Sequence, residues 1–402
     1  MAPDRYDAVV IGARCAGSPT AMLLARQGHR VLLVDRATFP SDTLSTHVVH
    51  PPGVAALDRW GVLDRLRATN CPPIDTYSFD FGAFTLAGAP GTPDSPVAYC
   101  PRRTVLDQLL VDAAAQSGVE VREAFTVDEL EFDDGRVAGI RGHASGGGTV
   151  VEHADVVVGA DGRFSLLAKA VGAEHYHERG PILCGYYSYW SGLPADHTFA
   201  VTARPERGWA VAPTHDDLTL VVAGWPYRDR DRYKHDVEGT YLGTFEAAPE
   251  FAERIRGATR ESRIAGTAVE NYFRKPFGPG WALVGDAGYN KDFITAMGIT
   301  DAFRDAELCA GALDRALSGA EPFDDAMAAY QAVRDEHVVP MFEFTCQLAT
   351  LDPPPPEMQQ LLAAMRGNQD AMDGFARVNG GVTSPAEFFS EENIGRILGA
   401  AG

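Results

Sequence analysis

Residues 6–17 read YDAVVIGARCAG, an apolar run that breaks at Gly12 and resumes after Gly17. DAVVIG (7–12) has the continuous apolar texture of a buried parallel strand, SPTAMLLARQG (18–28) carries clustered Ala, Met and Leu suited to a helix, and HRVLLVD (29–35) returns to strand. The three pieces form one βαβ unit with a right-handed crossover. At its first turn a G-x-G-x-x-G sequence would seat a pyrophosphate against backbone N–H groups at the helix start. Arg14 stands where the middle glycine would be. Two geometries accommodate it: a side chain directed away from the ligand, or one curled over the phosphates. Asp35 follows Gly12 by 23 residues, at the end of the second strand, where a carboxylate meets the hydroxyls of a ribose. A dinucleotide site is therefore expected from Gly12, Arg14, Cys15, Ala16, Gly17, Asp35 and Arg36, against the plainer reading of a structural βαβ unit.

Two later stretches repeat the pattern of a strand delivering an acid to its end. DVVVGADGRFS (155–165) places Asp161 after a buried run, and WALVGDAG (281–288) places Gly285 and Asp286. Ligands in open α/β sheets collect outside the carboxyl ends of strands, which is where all three turns would lie. Between them, 104–118 reads as an amphipathic helix and DDG (133–135) as a hairpin turn. A helix is also expected over 51–68 and a half-buried strand over 74–86. From about 180 to 265 the texture changes: YYSYWSG, HTFAVTARPERGWAVAPT and DLTLVVAGWPYRDR have the texture of antiparallel strands, while 231–263 reads as helical. Long helical signals follow at 298–320, 322–349 and 357–377, with DPPPP (352–356) as a stiff connector.

Composition narrows the function. The chain has 402 residues, 45% of them hydrophobic, and 55 acidic against 35 basic side chains give a net charge of -20, which disfavours nucleic acid and anionic lipid as partners. The six cysteines do not approach CxxC or zinc-ligand spacing, so no metal site is expected and a reducing cytoplasm is the simplest compartment. MAPDRYDAVVIG contains no secretory signal pattern, and no stretch is apolar enough to be a membrane span.

GARCAG with LLVDR (12–17, 32–36), GADGRFS (159–165) and GDAGYNKDFITAMGITDAFRDA (285–306) together resemble the motifs of FAD-dependent oxidoreductases of the aromatic-hydroxylase type, the group A flavin monooxygenases. That group is related to flavin halogenases and geranylgeranyl reductase-like proteins. The resemblance covers about residues 5–320 and implies a Rossmann-like α/β FAD-binding domain with an interleaved antiparallel-sheet substrate domain and a helical C-terminal region. The FAD-binding segments would be 1–73, 101–175 and 269–320, the substrate segments 74–100 and 176–268, and the helical region 321–402. The resemblance gives the ADP half of FAD to Gly12, Gly17 and Asp35, and the ribityl chain to Asp286. Gly298, with Ile299, would adjoin the flavin at a helix start. Asp161 would lie near the cofactor, where NADH or NADPH acts as a transient reductant, and Arg103 in RTVL (103–106) would contact phosphate or ribityl atoms. Helix-start solubility is the plainer reading of Arg103.

The third motif departs from the family pattern at Tyr289, where histidine is usual, at Asp292 and Phe293, around the usual proline, and at Thr295 and Thr300. Halogenases carry G-W-x-W-x-x-P and an early lysine; GWAVAP (208–213) matches only in shortened form, and the first lysine is Lys169. DTLSTHVVHPPG (42–53) brings His47 and His50 to a segment that passes the flavin ring in related proteins. Histidine moves protons near neutrality, although a structural turn explains the stretch equally well. Catalytic candidates are thus His47, His50 and Tyr289. Tyr187, Tyr189, Trp209, Trp225, Asp292 and Phe293 are candidates for a substrate wall, with ordinary sheet packing as the alternative for the aromatics.

The expected function is a monooxygenase using FAD, NAD(P)H and oxygen on an aromatic or polycyclic small molecule, in secondary metabolism, as a monomer or homodimer. The rivals are an FAD-dependent reductase or dehydrogenase working by hydride transfer, including carbon–carbon double-bond reduction, and a catalytically idle flavin-binding protein.

Overall fold

The computed structural model describes residues 5–400. Residues 1–4 and 401–402 lie outside it, and with them the polar start of the chain and the outermost ends of the first and last expected segments.

The opening strand, Tyr6–Ile11, lies at the centre of a sheet with Val31–Val34 on one side and Thr149–Gly159 on the other, all parallel. Glu120–Arg122 extends the sheet beyond Val31–Val34, and Trp281–Leu283 extends it beyond Thr149–Gly159. Alternation decides what each face touches. Ala8 and Val10 pack under helices Gly17–Arg26, Arg103–Gln116 and Gly298–Leu317, while Val9 and Ile11 face a core shared with the hairpin Phe125–Asp133/Arg136–Ala144. That hairpin turns through Asp134 and Gly135, both at positive φ, as its DDG sequence requires.

A second sheet runs in the order Thr259–Arg260, Leu183–Ser191, Thr219–Pro226, Arg207–Pro213, Thr198–Arg204, Thr76–Asp80, Thr85–Gly88. Its pairings are antiparallel except for one: Thr76–Asp80 joins Thr198–Arg204 in parallel, so the sheet is mixed. The expected single strand over 74–86 is instead two, paired antiparallel across a turn at Gly82. The expected helix over 51–68 breaks at Gly61, φ 73°, into Pro51–Arg59 and Leu63–Arg67. Helices Val237–Thr244 and Pro249–Arg256 cover one face of this sheet. On the other face, the C-terminal helices Pro356–Ala364 and Gln369–Asn379 pack with Tyr77, Phe79 and Ala296. Helix Phe323–Ala349 runs through Pro340 and packs on Gly298–Leu317. Among the described residues, no helix is long and apolar enough to cross a membrane.

Candidate active site

Four turns converge at the carboxyl ends of the parallel strands. Gly12 has φ 102°, and a Cβ there would lie 2.5 Å from the carbonyl oxygen of Ala160; a Cβ on Gly17 would lie 1.8 Å from the Gly12 oxygen. These two glycines therefore hold the first turn against the turn that carries Asp161. Gly285, φ 61°, sits against the Ala16 methyl, bringing the third motif to the same place. Asp35 accepts from Ala13 N at 2.7 Å and from Ala37 N at 2.8 Å, so it braces the first turn from the end of its own strand. Arg36 is exposed beside it.

The geometry fits a dinucleotide. Helices Gly17–Arg26 and Gly298–Leu317 both begin without a side-chain cap; in the first, Ser18 N–H donates to the Arg14 carbonyl and Pro19 has no N–H, which leaves Gly17 N–H, whereas the start of the second offers the N–H groups of Gly298 to Thr300 to an anion. Within the buried run 281–290, Asp286 alone is exposed, yet burial around it raises its carboxyl pKa against the pull of Arg103, Lys291 and Arg163. An exposed side chain enclosed by protein is the floor of a cleft. Gly298 is likewise exposed among buried neighbours, and space is open where its side chain would be. Asp161 accepts from Leu166 N through Oδ2 at 2.7 Å, while its buried Oδ1 has no partner. Ile299 contributes backbone to this cleft, but its side chain is in the core under the parallel sheet.

Arg14 is held from the side by its neighbours. Its guanidinium donates to the Ser41 carbonyl at 3.2 Å, the Ser41 hydroxyl at 2.9 Å and the Asp107 carboxylate. Asp107 also accepts from Arg103 and from the Cys15 thiol, at 3.4 Å. Sequence reading passed over Asp107, although its spacing of four from Arg103 on one helix is a signal that could have found it.

The two histidines differ. His50 starts helix Pro51–Arg59, with Nδ1 sharing a 2.6 Å hydrogen bond with the Tyr77 hydroxyl and Nε2 at 3.1 Å from the Thr295 carbonyl. Its backbone N–H donates to Thr300 Oγ1. Both ring nitrogens are occupied, so His50 staples the loop before Gly298 and has no free edge for a substrate. His47 is as deeply buried, but only Nε2 is engaged, at 2.7 Å from the Tyr189 hydroxyl; Nδ1 has no partner. The residue adopts φ 65°, a strained conformation for a side chain with a Cβ, held by a bond from its N–H to Ser45 Oγ. Desolvation, reinforced by Arg103, pushes the His47 imidazole down to about 3, and desolvation brings His50 to about 4. Both rings are neutral at physiological pH.

Tyr187 and Tyr189 stand edge-on to the His47 ring, and the Arg102 guanidinium lies 5.1 Å from the Tyr189 ring centre. The other candidates are elsewhere. Trp209 and Trp225 project from the opposite face of the same sheet into a closed core with Tyr241 and Phe245, so they do not join the tyrosines in a substrate wall. Tyr289 is stacked on Phe273 and accepts from Arg304 at 2.8 Å behind the cleft, which removes it from proton transfer. Asp292 accepts from Leu183 N and Ile294 N and is desolvated to a pKa of about 7; it shapes the loop. Phe293 lies against Gly185, where a Cβ would be 2.5 Å from its ring. No cluster of potential metal ligands occurs among the described residues.

A family model described as FAD binding domain matches residues 5–345. The chain belongs to this FAD-binding family. It is a flavin-dependent oxidoreductase. A 6-methylpretetramide 4-monooxygenase from Streptomyces rimosus is 29% identical over 346 residues, covering 80% of this chain and 79% of that protein. A tryptophan 2-halogenase from Chondromyces crocatus is 25% identical over 349 residues, 83% of this chain and 66% of the halogenase. Among solved structures, a flavoprotein/dehydrogenase from Cytophaga hutchinsonii superposes with a TM-score of 0.84 at 18% identity, covering 98% of both chains, and shares the fold.

Proposed function

We propose that this flavoprotein is an NAD(P)H-dependent monooxygenase that oxygenates an aromatic or polycyclic small molecule, in secondary metabolism. The observation that carries the reading is His47: a buried, neutral imidazole with an unpartnered Nδ1, set edge-on to Tyr187 and Tyr189 and within electrostatic reach of Arg103. The named likeness to a 4-monooxygenase supports the same direction.

FAD, once bound, accepts a hydride and activates oxygen. The chain's own residues do the rest. Gly12 and Gly17 keep the first turn close to Asp161, and the positive end of helix Gly17–Arg26, with Gly17 N–H at its tip, favours the diphosphate. Arg103 and Asp286 bracket the cleft. The start of helix Gly298–Leu317 favours negative charge on the reduced ring. His47 offers its unpartnered Nδ1 to a substrate hydroxyl as a neutral hydrogen-bonding group, with its tautomer set by the Tyr189 hydroxyl at Nε2. Desolvation keeps the ring uncharged in that role. The rings of Tyr187 and Tyr189 offer a flat substrate apolar surface with polar tips.

Halogenation is the less favoured chemistry. The chain has four lysines; Lys169, Lys234 and Lys275 are exposed, and Lys291 is buried against Asp301, so none offers a free amine beside His47.

Anaerobic mixing of the FAD-loaded protein with NADH or NADPH, alone and with a panel of aromatic compounds, tests the proposal. Flavin bleaching accelerated by one aromatic class is expected. No bleaching by either nicotinamide across the panel would sink it.

A further inference from the structure

Asp107 is a fully buried carboxylate one helical turn beyond Arg103. Its Oδ1 accepts from Arg103 Nε at 3.0 Å and Nη2 at 2.9 Å, and its Oδ2 accepts from Arg14 Nη1. Arg103 is itself 8% exposed. With one edge of its planar fork fixed on Asp107, the guanidinium has Nη1 left to serve the cleft, where Asp286 and His47 are near enough to act on it electrostatically or be acted on by it. Asp107 also holds the guanidinium of Arg14, the residue at the glycine position of the first turn.

We infer that Asp107 is a positioning residue for FAD binding: it aims Arg103 at the cofactor. The inference rests on the reading of Arg103 as a cofactor ligand. A carboxylate near a diphosphate repels it, so by charge alone neutralising Asp107 would tighten FAD. A positioning role requires the opposite.

The test is a double-mutant cycle on the full chain, reading the Kd of FAD for apoprotein by flavin fluorescence. Arg103→Ala and Asp107→Asn are each expected to weaken FAD about tenfold or more, as loss of a charged hydrogen bond does. The double variant should match Arg103→Ala within about twofold, since Asp107 has nothing left to aim. Should Asp107→Asn not fold, Asp107→Glu retains the charge and is expected to show a smaller loss that also vanishes in the Arg103→Ala background. Parent-like affinity in Arg103→Ala overturns the reading of Arg103 itself. A loss in Arg103→Ala with none at 107, tighter binding at 107, or a loss at 107 that persists without Arg103 overturns the inference and leaves the cofactor reading intact.

Discussion

The two faces of the sheet built around Leu183–Ser191 carry similar aromatic residues and do different work. On one face Tyr187 and Tyr189 meet His47, with an imidazole nitrogen left free. On the other, Trp225 donates from Nε1 to Thr244 Oγ1 at 2.9 Å and packs on Tyr186 and Tyr233, with nothing left open. Side-chain parity separates them: Tyr187 and Tyr189 share one direction, while Tyr186 and Trp190 take the other. An unsatisfied buried polar atom calls for a partner, and on the His47 face the proposed reading supplies one in a substrate hydroxyl, whereas the Trp225 face has its polar atoms paired.

The largest effect should fall on the closed face. Trp225→Ala is expected to cost about 3–5 kcal/mol of stability by urea unfolding, while the surviving folded fraction keeps its turnover. A comparable loss of turnover per folded molecule would erase the distinction between faces. Next, His47→Gln should lower product formation about 100-fold with FAD content unchanged, measured at saturating NAD(P)H. Parent-like turnover there would return His47 to a structural role.

Acid stability gives a third discrimination. His47 and His50 have folded pKa values below the ordinary histidine value, so the unfolded chain binds more protons between that value and the folded one. Stability from these groups is present above about pH 6.5 and is lost as pH falls. Replacing either histidine by Gln should shrink the stability difference between pH 7 and pH 5 by about 2 kcal/mol. Asp292, with its pKa raised to about 7, contributes in the opposite sense, losing stability as pH rises through about 4–7, and cancels in the comparison between variants. An unchanged difference would mean the imidazoles are hydrated. Smaller still, Tyr189→Phe should slow turnover about tenfold and lower stability by about 1 kcal/mol, because the buried His47 Nε2 loses its only partner. Equal rates would leave Tyr189 as packing alone.

Much of the cofactor side was legible because its signals are local. Gly12, Gly17 and Asp35 sit within one βαβ unit, and Gly285, Asp286 and Gly298 within one loop and helix start, so local pattern together with the family resemblance singles them out. The destination of Arg14 was not legible: its partner Asp107 is 93 residues away, on a helix that only the folded sheet brings near. The same limit applied to the aromatics. Alternation within a strand separates Tyr187 from Trp190, but which face fronts the cleft depends on where the first domain docks. His47 and His50 looked equivalent three residues apart, and Tyr77, Tyr189 and Thr295, all distant in sequence, set them apart.

The central claim, that this flavoprotein inserts oxygen into a substrate held on the His47 face, is tested most directly by labelled oxygen. FAD-loaded protein, NAD(P)H and the aromatic compound that best accelerates flavin bleaching are incubated under ¹⁸O₂, and the product is analysed by mass. One labelled oxygen atom per product molecule is expected. A product that has gained hydrogen, or has lost it, with no label would contradict the account and assign the cleft to hydride transfer instead.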